Sequence, residues 1–273
     1  MLNKELKEIY DACYEEGQEK FHSHLPLDLI YSEVYKIIKN FLNDKRILDL
    51  GCGDGTFLRK YATLEEPKRM VGYDFSETGI KKAKEDPITE GRNIKFDCVD
   101  FKELEEKIKN SELSAGGFYD IITSIGVIEH LDEPEKLFYL ANFFLKPGGW
   151  FILEHPNFLN TRGIVWKILE IFLGAEMSKT DKHALLPDEI FSYIEKYEFE
   201  CKRIITFDHD RGMYSNMLED FSKRLKLALD GKVENLETKL QEFFKYLGFV
   251  SNERVFPVGA ANGAEILWVL GKT

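Results

Sequence analysis

The chain has 273 residues, 44% of them apolar, with 48 acidic against 37 basic side chains and a net charge of −11. That length buries one substantial core, or a core with a cap. The acidic excess argues against a broad nucleic-acid footprint, which relies on clustered lysine and arginine, and the sequence holds no run of about 18 apolar residues to span a bilayer.

Residues 1–45 carry two apolar stripes at helical spacing: Leu2, Leu6, Ile9 and Cys13, then Ile30, Val34, Ile37, Ile38 and Phe41. An aromatic and histidine-bearing link runs between them through Tyr10, Tyr14 and Phe21-His22-Ser23-His24. Two placements of this N-terminal helical segment stay open, over a ligand mouth or beneath the sheet edge. A short β-type run, Arg46–Leu50, then enters a loop with Gly51, Gly53 and Gly55, and a helix is expected from about Thr56, over Phe57–Ala62. Glycines at alternate positions let the backbone turn sharply and pass close to a ligand, and the helix start offers free N–H groups. The third glycine comes one residue too early for the dinucleotide pattern G-x-G-x-x-G, and no Gly-Lys-Ser/Thr ending marks a P-loop.

A second strand is expected near Arg69–Tyr73, closed by Asp74, where an acidic residue can accept ribose hydroxyls. A helix over Ser76–Lys84 follows, then a strand over Ile94–Val99, Asp100-Phe101, and a fourth strand at Tyr119–Ser124. Lys146-Pro147-Gly148-Gly149 reads as a turn into a fifth strand, Trp150–Glu154. Gly163–Leu173 is apolar around most of its circumference, Pro187 opens a helix to about Tyr197, and Glu200–Phe207 and Glu265–Leu270 read as the last strands. Between these lie Tyr214–Leu229 and Val233–Leu247, a helical hairpin split at Asp230-Gly231, read as a cap or a subunit interface. The alternation predicts a Rossmann-like α/β fold: a seven-stranded, mostly parallel sheet with helices on both faces and an antiparallel last strand. One domain over 1–273 is expected, with a cap or substrate insertion at 156–186 and a helical insertion at 212–250.

Asp49-x-Gly51-x-Gly53-x-Gly55, Asp74, Asp100-Phe101 and Lys146-Pro147-Gly148-Gly149 stand in register over about 110 residues, and in this they resemble the class I S-adenosylmethionine-dependent methyltransferases. Ile128-Glu129-His130-Leu131 and Leu145–Gly149 look like the ubiquinone-biosynthesis-type and related small-molecule methyltransferases. The resemblance implies S-adenosyl-L-methionine as cofactor. Gly51, Cys52, Gly53 and Gly55 would then admit its methionine portion, while Asp49 fixes the loop and addresses the ammonium through water. It further implies that Asp74, with Phe75 beside it, takes the ribose, that Asp100 and Phe101 take the adenine, and that Ile125 and Gly126 line the pocket near the methyl.

Methyl transfer needs an aligned nucleophile, and transfer to oxygen is aided by a base, for which histidine suits neutral pH. His130 follows strand four, His155 follows strand five and is expected to point into the cleft, and His183 precedes the Pro187 helix. These three are the candidates; His209, after strand six, reads as a loop residue. Strand four ends Thr123-Ser124-Ile125 without an acid, so no catalytic metal is expected. Tyr10, Tyr14 and Phe158 are candidates to contact the sulfonium or an aromatic substrate, and Arg162 and Arg211 to hold a substrate anion. The four cysteines, Cys13, Cys52, Cys98 and Cys201, form no C-x-x-C pair and read as reduced thiols. Met1–Glu8 lacks the apolar stretch of a signal peptide, so a cytoplasmic protein is expected.

The expected activity is methyl transfer to a small molecule, most often at a hydroxyl oxygen, by a monomer or homodimer with no nucleic-acid or membrane partner. Besides a nicotinamide oxidoreductase, which added nucleotide would test by thermal stabilisation, two alternatives stay open. One is a protein or RNA methyltransferase, against which stand the charge and the lack of an Asn/Asp-Pro-Pro-Tyr/Phe tetrad. The other is a cofactor-binding regulatory module without catalysis.

Overall fold

The computed structural model describes residues 4–16, 27–39, 43–64, 66–113, 116–175, 178, 180–250 and 263–273. Leu2, Phe21, His22, Ser23, His24 and Phe41 of the N-terminal readings lie outside these residues. Seven strands form one sheet: β1 Arg46–Leu50, β2 Arg69–Asp74, β3 Ile94–Cys98, β4 Tyr119–Ile125, β5 Leu145–Pro156, β6 Phe199–Phe207 and β7 Glu265–Lys272. Their order is β3-β2-β1-β4-β5-β7-β6, and only β7 runs antiparallel to its neighbours among the pairings of the described residues. The order reverses between β1 and β4. In an open α/β sheet that reversal leaves a crevice at the carboxyl ends of the strands, where ligands bind.

Side chains alternate across each strand and divide the core in two. On one face Leu48, Leu50, Phe151, Leu153 and Trp268 pack with α5 (Phe101–Lys109), α6 (Glu135–Phe144) and α8 (Pro187–Lys196). On the other, Ile47, Met70, Ile121, Ile152 and Leu267 meet α2 (Leu27–Ile38), α3 (Thr56–Leu64) and α4 (Glu77–Glu85). Side chains such as Leu48 and Ile152 are fully buried, and each burial of this kind stabilises by about 1.5–3 kcal/mol.

Three helices are additions to the sequence reading, α5, α6 and a short helix at His209–Met213 that takes in the expected loop residue His209. Asp100 N-caps α5 by accepting the Lys102 N–H at 2.7 Å, and α6 fills the stretch between β4 and β5. Lys146-Pro147-Gly148-Gly149 lies within β5, where the register jumps from Tyr119↔Leu145 to Ile121↔Trp150. Three extra residues on the β5 side, with Gly148 at φ +73°, place the expected turn inside the strand's span and not before it. A third core joins Trp166 of α7 (Thr161–Leu173) to Met217, Phe221 and Leu225 of α10 (Ser215–Leu229) and to Leu240 of α11 (Leu236–Val250). The short α9 (His209–Met213) leads into α10.

The helix α1 (Lys4–Glu16) crosses the mouth of the crevice. Lys7 pairs with Glu77 at 2.8 Å, Ser76 Oγ donates to Asp11 at 2.5 Å, and Lys82 donates to the Tyr14 carbonyl. Of the two placements left open for the N-terminal segment, the described part of α1 takes the one over the ligand mouth.

Candidate active site

A cavity of about 240 Å3 lies at the carboxyl ends of β1 to β5 and the start of β7. At one end is the turn after β1. The Gly51 and Cys52 N–H groups both donate to the Tyr73 carbonyl, at 2.8 and 3.0 Å, which folds the turn back against β2. Gly51 and Gly53 sit at φ +84° and +54°. A Cβ on Gly53 would strike the Tyr14 hydroxyl, and one on Gly51 would strike Val127, so the left-handed turn and the close approach both require glycine. Asp54 accepts the Thr56 N–H at 3.1 Å and starts α3 beside the cavity.

Asp74 closes β2 inside this end. Its Oδ2 accepts the Gly53 N–H and its Oδ1 the Ser76 N–H, both at 2.8 Å. Burial pushes its carboxyl up to about 6, against the pull of those backbone donors. Each oxygen keeps a further lone pair for a hydroxyl. Phe75, Asp100 and Phe101 line the same end, as do Tyr10 and Tyr14 from α1. A turn that tolerates no Cβ, two carboxylates past β2 and β3, and an aromatic wall thus line one end of the cavity.

The other end is acidic. Ile125 and Gly126 lead into Glu129 and His130, with Glu154 of β5 and Glu265 of β7 beyond them. His130 Nδ1 lies 3.0 Å from the Thr180 carbonyl and 3.3 Å from Asp181 Oδ1, so it carries the proton. That leaves Nε2 as the basic nitrogen, 3.6 Å from Glu129 Oε1. Burial holds the imidazole below its usual value, partly offset by Asp181, and keeps it neutral near pH 7. The 180–183 connection is pinned here, because Lys182 N–H donates to the Glu129 carbonyl at 2.8 Å.

Gly51, Cys52, Gly53, Asp74, Phe75, Asp100, Phe101, Ile125 and Gly126 thus share one cavity, and with them His130. Asp49 and Gly55 stand outside its lining. Asp49 accepts the Thr123 hydroxyl at 2.7 Å within the sheet, where burial pushes it up to about 7. The expectation that His155 points into the cleft is corrected. Strand β5 runs on to Pro156, so Glu154 faces the cavity and His155 the opposite core. There its Nε2 accepts from Trp268 Nε1 at 3.1 Å and its Nδ1 donates to the Pro156 carbonyl at 2.9 Å. His183 also stands off the cavity, with Nε2 donating to the Leu131 carbonyl at 2.9 Å.

Arg162 and Arg211 are not free to hold a substrate anion. Arg162 pairs with Asp220 at 2.8 Å and Arg211 with Asp208 at 3.0 Å. Phe158 is buried away from the cavity lining. Sequence reasoning passed over Glu154 and Glu265. Their signal is an acid embedded in an apolar strand, Phe-Ile-Leu-Glu154 and Glu265-Ile-Leu-Trp, next to the edge where ligands bind.

The methyltransferase-domain family model matches residues 21–199. A ubiquinone biosynthesis O-methyltransferase from Leptothrix cholodnii is 25% identical over 199 residues, covering 71% of this chain and 77% of that one. One from Idiomarina loihiensis is 30% identical over 105 residues, 38% of this chain and 40% of that protein. This and six further relatives of the same name are matched over half of their length or less. Among solved structures, a SAM-dependent methyltransferase from Archaeoglobus fulgidus superposes with a TM-score of 0.58 at 20% identity, covering 93% of this chain and 97% of that one. The chain belongs to the methyltransferase-domain family and is a class I S-adenosylmethionine-dependent methyltransferase. No helix of the described residues is long and apolar enough to cross a membrane.

Proposed function

We propose that the protein moves the methyl group of S-adenosylmethionine to a hydroxyl oxygen of a small molecule, with His130 as the base. The observation that supports this is the His130 environment. Among the described residues it is the one histidine lining the cavity, and its Nδ1–H is held by the Thr180 carbonyl. The names of the relatives, ubiquinone biosynthesis O-methyltransferases, agree with an oxygen acceptor. The thiols of Cys52, Cys98 and Cys201 are free, in keeping with a cytoplasmic setting.

When bound, S-adenosylmethionine supplies a sulfonium methyl open to in-line displacement. In this reading Gly51 and Gly53 accommodate its amino-acid portion, Asp74 accepts the ribose hydroxyls, and Asp100 and Phe101 hold the adenine. Tyr10 and Tyr14 close the mouth and exclude water. His130 Nε2 takes the acceptor's hydroxyl proton, and Asp181 stabilises the imidazolium at Nδ1.

The test is incubation with methyl-labelled cofactor and a small-molecule extract, followed by mass spectrometry of what gains the label. A labelled methyl ether or ester supports the reading. Label on nitrogen or carbon contradicts the oxygen assignment. Label confined to protein or RNA, in a whole extract, selects the macromolecular alternative, and no label at all selects the regulatory module.

A further inference from the structure

Three carboxylates meet at the end of the cavity away from the glycine turn: Glu129 after β4, Glu154 near the end of β5 and Glu265 at the start of β7. The β5–β7 register pairs Pro156 with Glu265 and Glu154 with Leu267, so Glu154 and Glu265 project from the same face. Their carboxyls lie against each other, and all three residues are at most 3% exposed. Apart from a proton shared between Glu154 and Glu265, both oxygens of Glu154 and Oε2 of Glu129 and of Glu265 have no donor among the described residues.

The nearby cations are committed mainly to other acids, with Arg211 also reaching Glu265. Arg162 serves Asp220, and Arg211 serves Asp208 at 3.0 Å while standing 3.8 Å from Glu265. Lys136 is held by Glu105 at 3.0 Å and Lys182 by Asp132 at 2.5 Å. Buried carboxylate oxygens without donors are costly, and a cationic guest would complete them. Among the described residues no group of three His, Cys, Asp or Glu side chains is placed to hold a metal ion. The cofactor's own charges belong with the glycine turn on the β1–β2 side, across the switch point from these acids.

We propose that Glu129, Glu154 and Glu265 form the recognition site for a protonated amine on the methyl acceptor, so that the substrate class is a small organic base. This rests on the methyl-transfer reading given above. An ammonium is a compact charge with up to three N–H donors and no acceptor, which matches oxygens that lack donors. The amine anchors the molecule on the β5–β7 side, and the reacting oxygen then falls between that anchor and the glycine turn, beside His130.

The experiment passes the products of the labelled-methyl incubation over a cation exchanger at pH 7. It then compares the wild-type protein with Glu154→Gln on the labelled acceptor. Once the donor, itself a cation at pH 7, has been separated off, the label is expected on a product in the retained, cationic fraction. Glu154→Gln is expected to raise KM for that acceptor at least tenfold, with kcat changed less than threefold and cofactor Kd unchanged. A labelled acceptor that is neutral or anionic overturns the proposal while leaving methyl transfer intact. So does an unchanged KM, or a cofactor Kd weakened tenfold, which would assign the acids to the cofactor. No label in any fraction, with calorimetry still showing cofactor bound, overturns the transfer reading and this proposal with it. Should Glu154→Gln fail to fold, Glu265→Gln carries the same measurements.

Discussion

Asp74 Oδ2 accepts the Gly53 N–H at 2.8 Å and so ties the end of β2 to the glycine turn after β1. In the proposed reading the same carboxylate also takes the ribose, which would make turn geometry and cofactor affinity depend on one side chain. Asp74→Ala is expected to weaken cofactor binding by about 1–3 kcal/mol, the cost of stranding buried hydroxyls and an amide. Calorimetry with S-adenosylhomocysteine reads this directly, and an unchanged Kd contradicts the ribose role.

The Tyr14 hydroxyl stands over Gly53, at the position a Cβ there would occupy. Gly53→Ala is therefore expected to abolish measurable cofactor binding through the left-handed φ and this collision together. Tyr14→Phe should bind cofactor within about threefold of wild type, because the ring and its packing remain. Equal loss in both variants would show that the hydroxyl itself, not the space above the turn, sets affinity.

His130 and His155 differ in what they face. His130→Ala is expected to lower kcat by about 10²–10⁴-fold with cofactor Kd unchanged, the usual contribution of a positioned base. His155→Ala should keep kcat per folded molecule near wild type and lower the melting temperature, since it removes the partner of Trp268 Nε1. Rates that fall equally in both variants would remove the distinction.

Burial lowers the His155 pKa from 6.5 to about 4. The unfolded chain then takes up a proton as pH falls through 6.5, while the native ring stays neutral down to about 4. The stability tied to this group is present above pH 6.5 and is lost on acidification, by on the order of 3 kcal/mol at pH 4. Urea unfolding of wild type and His155→Gln across pH 4–7 should show the gap between them change with that slope. Parallel curves would contradict it.

Glu265 titrates in the opposite sense. Burial raises its pKa from 4.5 to about 7, with Arg211 opposing. Between these values the native state holds a proton that the unfolded chain has lost, so stability falls as pH rises through that window. Glu265→Gln should therefore gain on wild type from pH 4.5 to 7 and hold a constant advantage above. A gain that is the same at pH 5 and pH 8 would show that the carboxyl is already ionised at pH 5.

The strands and the glycine turn were legible because their signals are local. Apolar runs bounded by Gly51–Gly55 or Asp74 admit few other structures. The cofactor end followed, since its residues sit just past three strands. What escaped depends on contacts distant in sequence. The charged run Phe101–Lys109 has few apolar positions, and its helix α5 is marked chiefly by the Asp100 cap. The His155 orientation turned on the strand end, because β5 continues past Glu154 to Pro156 and its alternation sets His155 on the face opposite Glu154. Arg162 found Asp220 and Arg211 found Asp208 through the packing of α7, α9 and α10, which no spacing in the sequence announces. Glu154 and Glu265 are 111 positions apart and become neighbours only when β7 inserts between β5 and β6.

The central claim, a methyl donor held by the glycine turn and Asp74 with its acceptor beside His130, is tested most directly by a crystal structure with S-adenosylhomocysteine bound. The ribose is expected within hydrogen-bonding distance of the Asp74 carboxylate, the adenine against Phe101, and the sulfur turned toward Gly126 and His130. Density for the ligand elsewhere, or a ribose out of reach of Asp74, would contradict the claim.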